Sequence, residues 1–111
     1  MVRRYFEALG RRDFAAATRW VHPLWNDGSA SPDRAIRKLR LLSIEGPVVQ
    51  QAGQVPLLEY AVTANARYPS GLLTGQPHPR SSGRNVYFVI LAPVNPLAPT
   101  EWRITSIGTG P

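Results

Sequence analysis

The apolar positions change period once along the chain, and the change separates a helical first part from a stranded second part. Val2, Tyr5, Phe6 and Leu9 recur at i, i+3, i+4 and i+7, the single stripe of an amphipathic helix. Arg3, Arg4 and Glu7 occupy its other side. Gly10 stands where a helix end favours a residue tolerant of positive φ. Asp13 reads as the N-cap of a second helix, Phe14 to His22, with Phe14, Ala17, Trp20 and Val21 as its apolar side and Pro23 as its stop. Trp25-Asn26-Asp27-Gly28-Ser29 is rich in turn formers. Ser31, Pro32 and Asp33 then make a strong helix start, with a cap, a first-turn proline and an acid beside the positive end of the dipole. They predict a third helix to about Leu41, burying Ala35, Ile36, Leu39 and Leu42 and leaving Arg34, Arg37, Lys38 and Arg40 in water.

Beyond it the period falls to two. Ser43 to Val49 predicts a short strand, and Gly46-Pro47 within it marks an edge or a bulge. Leu57 to Tyr68 is the clearest strand, with Leu58, Tyr60, Val62, Ala64, Ala66 and Tyr68 on one face and Glu59, Thr63, Asn65 and Arg67 on the other. Pro69 to Gly83 reads as a long, mobile hairpin loop of proline, glycine and serine. Arg84 to Ala92 is apolar on both faces: Val86, Phe88 and Ile90 are expected inward, Tyr87, Val89 and Leu91 outward. A turn over Pro93 to Pro99 leads to a last strand, Trp102 to Ile107. The expectation is one α+β domain over residues 1–111, N-terminal helices packed on a curved antiparallel sheet of about four strands. The second apolar face of Arg84–Ala92 asks for cover, which predicts a homodimer through Tyr87, Val89 and Leu91.

Composition narrows the chemistry. With 111 residues and 43% apolar content the chain suffices for one core. Cysteine is absent, which removes disulfides, thiolate nucleophiles and cysteine-bound metals together. No apolar run is long enough to span a bilayer as a helix. The chain opens directly on a helical pattern, which leaves room for a leader trimmed from a longer precursor. The net charge is +6, and Lys38 is the only lysine among 13 basic residues, a bias toward anionic partners.

Two segments carry a resemblance. Val2 to Ala17, an aromatic helix, a glycine-arginine turn, an Asp and a small-residue helix, resembles the first two helices of the nuclear transport factor 2-like superfamily. Glu101 to Pro111, a Trp-Arg-Ile strand running into a glycine-rich end, is similar to the final strand of an uncharacterised bacterial branch whose members often sit outside the membrane on lipoproteins. The resemblance implies a cone-shaped two-layer fold and an extracytoplasmic setting. It implies no one activity, because that scaffold hosts isomerases, dehydratases, cyclases, transport adaptors and binding modules.

Similarity to ketosteroid isomerase within that superfamily sharpens one enzymatic reading. There a first-helix tyrosine helps form an oxyanion hole and a carboxylate after the second helix moves the proton. Tyr5 stands at the first position, and Asp27 or His22 is left for the second. Against this, Tyr5 suits a core aromatic, Asp27 before Gly28 suits a turn, and His22 suits a helix C-terminus. His22 and His78 are the only histidines and lack a carboxylate cluster, so neither a metal nor a cofactor is implied. Tyr5, Trp20, Trp25, Tyr60 and Trp102 are candidates to line an apolar pocket, with Trp25 at its mouth. Arg34, Arg37, Lys38 and Arg40 are candidates to grip an anionic surface by a salt-sensitive attachment. No aromatics interleave with them, which disfavours nucleic acid. The chain thus reads first as a non-catalytic binding or interaction module, dimeric and belonging to a bacterial envelope protein. The alternative is an isomerase- or cyclase-type enzyme using Tyr5 with Asp27 or His22.

Overall fold

The computed structural model describes residues 1–32, 34, 36–53, 55–68, 83–95, 97 and 100–109. The expected loop from Pro69, with His78, lies outside the described residues up to Gly83, as do Asp33 and Ala35. Two helices come first, α1 (Val2–Gly10) and α2 (Phe14–Thr18). Four strands follow: β1 (Lys38–Ala52), β2 (Val55–Arg67), β3 (Gly83–Pro93) and β4 (Trp102–Thr109). They form one antiparallel sheet in the order β1-β2-β3-β4. No described helix is long and apolar enough to cross a membrane.

The stripe on α1 does what its spacing dictates. Val2, Tyr5, Phe6 and Leu9 are all buried against the sheet, each contributing roughly 2 kcal/mol of hydrophobic stabilisation. Phe6 meets Tyr5 edge-on at 5.1 Å and Tyr87 of β3 at 5.6 Å between ring centres. The helix ends in a Schellman turn, but not at the glycine. Arg12 carries the positive φ of 58°, its amide bonds Leu9 O, and the Asp13 amide bonds Ala8 O. Gly10 serves close approach instead: a Cβ there would sit 2.9 Å from the Leu39 carbonyl oxygen of β1.

Asp13 caps α2 as expected, accepting from the Ala16 amide at 3.1 Å. The helix stops at Thr18, well short of His22. The reason lies across the molecule. The Ile104 amide donates to Trp20 O, the His22 amide donates to Ile104 O, and Val21 makes a parallel bridge to Ile104. Further on, the Asp27 amide donates to Thr105 O and the Ile107 amide to Ser29 Oγ. Residues 20–29 therefore run as a strap along β4 and close that edge of the sheet.

The expected third helix does not form. Residues 38–41 read equally well with period two, and pairing decides: Leu39 lies opposite Ala66 and Leu41 opposite Ala64, on the face carrying the helices. Ile36 is buried and Leu39 half-buried, whereas Leu42, expected in the core, falls at a bulge and is 39% exposed. A second bulge between Glu45 and Val48 holds Gly46, where a Cβ would meet Glu59 O at 2.8 Å. β1 is thus both an edge strand and a bulged one.

β2 keeps its expected faces, with Val62, Ala64, Ala66 and Tyr68 buried. β3 has the opposite facing to the expected one. Tyr87, Val89 and Leu91 are 1%, 0% and 2% exposed, while Val86 and Phe88 are 40% and 38% exposed. Register explains it: Tyr87 pairs with Val62, Val89 with Tyr60 and Leu91 with Leu58. Paired residues share a face, so the inward set of β2 fixes that of β3. Tyr87, Val89 and Leu91 consequently belong to the core and cannot be a dimer surface.

Candidate functional site

Length mismatch leaves an apolar hollow on the inner face of the sheet. Nine residues of α1 span about 13 Å, whereas the 13 residues of β2 span about 43 Å. The helix covers only part of the strands, and the sheet beyond its first turn is left open. There a trough of about 280 Å³ is lined by Val2 and Arg3 of α1, Ile44 of β1, Leu58 and Tyr60 of β2, Leu91 of β3 and Trp102 of β4, with Met1 beside them. Leu58, Tyr60 and Leu91 come together because Leu58 pairs with Leu91 and Tyr60 is two residues along the same face. Trp102 arrives at the end of β4 opposite Pro93.

Of the aromatic set expected to line a pocket, only Tyr60 and Trp102 reach this trough. Tyr5 is 2% exposed, and its hydroxyl donates to the Ala30 carbonyl at 2.8 Å. Trp20 lies half-buried with the Arg103 guanidinium over its ring at 5.4 Å. Trp25, expected at the mouth, is 45% exposed and stands edge-on to the His22 ring at 6.4 Å. Ile44, Leu58 and Leu91 were the missing lining. Leu58 shares its strand face with Tyr60, but the pattern of β3 alone points Leu91 outward, and Ile44 lies between two bulges that periodicity does not show.

The three residues named for proton transfer are not assembled. His22 is 5% exposed, and Nδ1 accepts from the amides of Leu24 (3.2 Å) and Trp25 (2.9 Å). Nδ1 therefore carries no proton, and Nε2–H donates to the Pro93 carbonyl at 3.2 Å. The ring is a fully bonded strut between the strap and the β3–β4 end. Asp27 is exposed, and its Oδ1 accepts from the Ser29 hydroxyl at 2.5 Å and the Ser29 amide at 2.9 Å. The Ser29 hydroxyl first, and then its amide, hold the Asp27 carboxyl below the usual carboxylate range. Such a carboxylate is a weak base, and the bonds that weaken it serve the strap. None of Tyr5, His22 and Asp27 lines the trough.

The basic set is redistributed by the loss of the third helix. The Arg34 guanidinium lies over the Phe14 ring at 5.4 Å. Arg37 is exposed and its amide donates to Arg67 O at 2.8 Å. Lys38 and Arg40 stand on β1, on the sheet face away from the helices, beside Arg67 and Asn65 of β2. Lys38, Arg40, Asn65 and Arg67 border a broad hollow of about 740 Å³ that reaches Gly10 and Gly83. Among the described residues no three His, Cys, Asp or Glu side chains gather as metal ligands.

No family model matches this chain, and the searches of curated proteins and of solved structures returned no match. The residues of the two hollows therefore carry the functional argument alone.

Proposed function

We propose that this domain is a non-catalytic binding module whose trough takes an apolar small molecule. The observation that carries the reading is the lining: Ile44, Leu58, Tyr60, Leu91 and Trp102 form an open apolar floor of about 280 Å³, near the lower size of small-molecule sites, roughly 300 Å³. An isomerase or cyclase would need an acid–base pair facing into that floor. Tyr5, His22 and Asp27 instead hold Ala30, the strap and Ser29, which favours binding over catalysis. Two helices laid on a four-stranded antiparallel sheet also support a nuclear transport factor 2-like reading. An envelope setting belongs to the same proposal and rests on the Glu101–Pro111 segment.

The test is a titration with the fluorescent probe 1-anilinonaphthalene-8-sulfonate, followed by displacement with decanol. The folded protein should bind the probe saturably and release it to the alcohol. Ile44→Trp, which fills the trough, should weaken binding about tenfold or more, equivalent to ~1.4 kcal/mol, while the circular dichroism spectrum stays unchanged. Absence of saturable binding, or binding indifferent to Ile44→Trp, would sink the proposal.

A further inference from the structure

The strand register gathers cations at one end of the sheet and leaves them unanswered. On the face away from the helices Lys38 lies directly opposite Arg67, at about 5 Å between Cα atoms. In the next row Arg40 of β1 and Arg84 of β3 flank Asn65 of β2. All four basic residues are exposed. Like charges so placed destabilise a sheet. Among the described residues no carboxylate relieves them: the ion pair formed there joins Arg103 to Glu101. Glu45, on the same face, stands opposite Ala61, four residues of β2 or roughly 13 Å beyond Asn65. Lys38, Arg40, Asn65 and Arg67 also line the hollow of about 740 Å³ that turns round the end of the sheet to Gly10 and Gly83. That volume lies within the range of small-molecule sites, roughly 300–1,000 Å³. The result is a concave recess walled by cations whose mutual repulsion a bound anion removes.

We propose that this hollow is a second binding site, for a small soluble molecule bearing a linear chain of phosphates. Lys38 and Arg67 form one cationic pair, and Arg40 with Arg84 forms another about 7 Å along the strands. A single phosphate meets one pair, whereas a chain of phosphates spans both. Guanidinium forks suit phosphate oxygens through parallel N–H donors. The Asn65 amide adds two more N–H donors between Arg40 and Arg84. Nucleic-acid bases find no aromatic ring to stack on here, since the rest of the lining is Gly10, Leu39, Ala66 and Gly83. A flat membrane would touch the rim and leave the recess unfilled. The apolar trough shares no lining residue with this hollow, so the two readings fail separately.

Isothermal titration calorimetry with inorganic tripolyphosphate tests the proposal. The wild-type chain should bind one equivalent, more weakly as salt rises. Inorganic phosphate should bind about tenfold more weakly still, or worse. Arg67→Glu should weaken tripolyphosphate by about tenfold or more. Arg4→Glu, exposed on α1 and outside the hollow, makes the same change in net charge and should stay within about twofold of wild type. Asn65→Asp places a carboxylate among the four cations. It should lose tripolyphosphate by about tenfold or more yet melt higher than wild type, two effects that damage to the fold does not produce together. No saturable binding, tripolyphosphate held no better than inorganic phosphate, or an equal loss in Arg4→Glu overturns the proposal. So does an Asn65→Asp chain that binds as wild type or melts no higher, and so does binding to vesicles of phosphatidylglycerol without binding of tripolyphosphate.

Discussion

At His22 one imidazole answers three backbone groups, the amides of Leu24 and Trp25 and the carbonyl of Pro93. His22→Leu keeps the volume and strands all three, the Pro93 carbonyl in a buried place and the two amides in a partly buried one. Urea unfolding should show a loss of about 2–4 kcal/mol, with trough binding of the remaining folded protein unchanged. An unchanged midpoint would mean that the ring bonds are not structural. Asp27 gives a pH prediction with a definite sign. The Ser29 hydroxyl and amide hold its carboxyl below its ordinary, unfolded value of about 3.8 in the folded state. It therefore contributes stability that is present above the unfolded value and lost as pH falls through the folded one. Asp27→Asn should melt lower than wild type at pH 6, and the gap should close in acid below that unfolded value. A gap constant with pH would show that the charge is not what Ser29 holds. The role of His22 is not legible from its neighbours in sequence, whereas Asp27 before Gly28 reads as the turn residue that it is. Pro93 is 71 positions from His22.

At the scale of elements, local signals succeeded over α1, at the start of α2 and over β2, but not over the second half of α2, where pairing with Ile104 ends the helix early. The i, i+3, i+4, i+7 stripe of α1, the Asp13 cap and the alternation of β2 are all present as read. They failed where two periods fit. Residues 38–41 satisfy both helix and strand, and the Ser31-Pro32-Asp33 start signal for a third helix yields to the pairing of Leu39 and Leu41 with β2. β3 is apolar on both faces, so its own pattern cannot orient it, and only the register against Val62 and Tyr60 does. A pair of variants checks that orientation. Val89→Asp places a carboxylate in the core and should cost about 4 kcal/mol or prevent folding. Phe88→Asp, on the outer face, should cost about 1 kcal/mol or less. Thermal melts that rank them the other way round would reverse the face assignment.

For the whole molecule, the layer architecture was readable in the order of elements: helices first, strands after. The trough was not, because it arises from the difference in length between α1 and β2 and from the meeting of Leu58 with Leu91. Both depend on register, which periodicity alone leaves open. The elongated body, 47 × 24 × 23 Å, follows from the same long strands. Its strap along β4 has a consequence for the order of assembly. The Ser29 hydroxyl meets the Ile107 amide across 78 positions of sequence, so the edge it covers cannot close until the final strand has been made. A chain still emerging from the ribosome holds residues 20–29 ready with nothing to fasten to, and one that loses its last strand leaves β3 as a bare, strongly apolar border. Contacts of such long separation form slowly, and an uncovered border recruits other strands. The carboxy-terminal strand is thus the latch of the fold, and its loss should turn a well-behaved domain into an aggregating one.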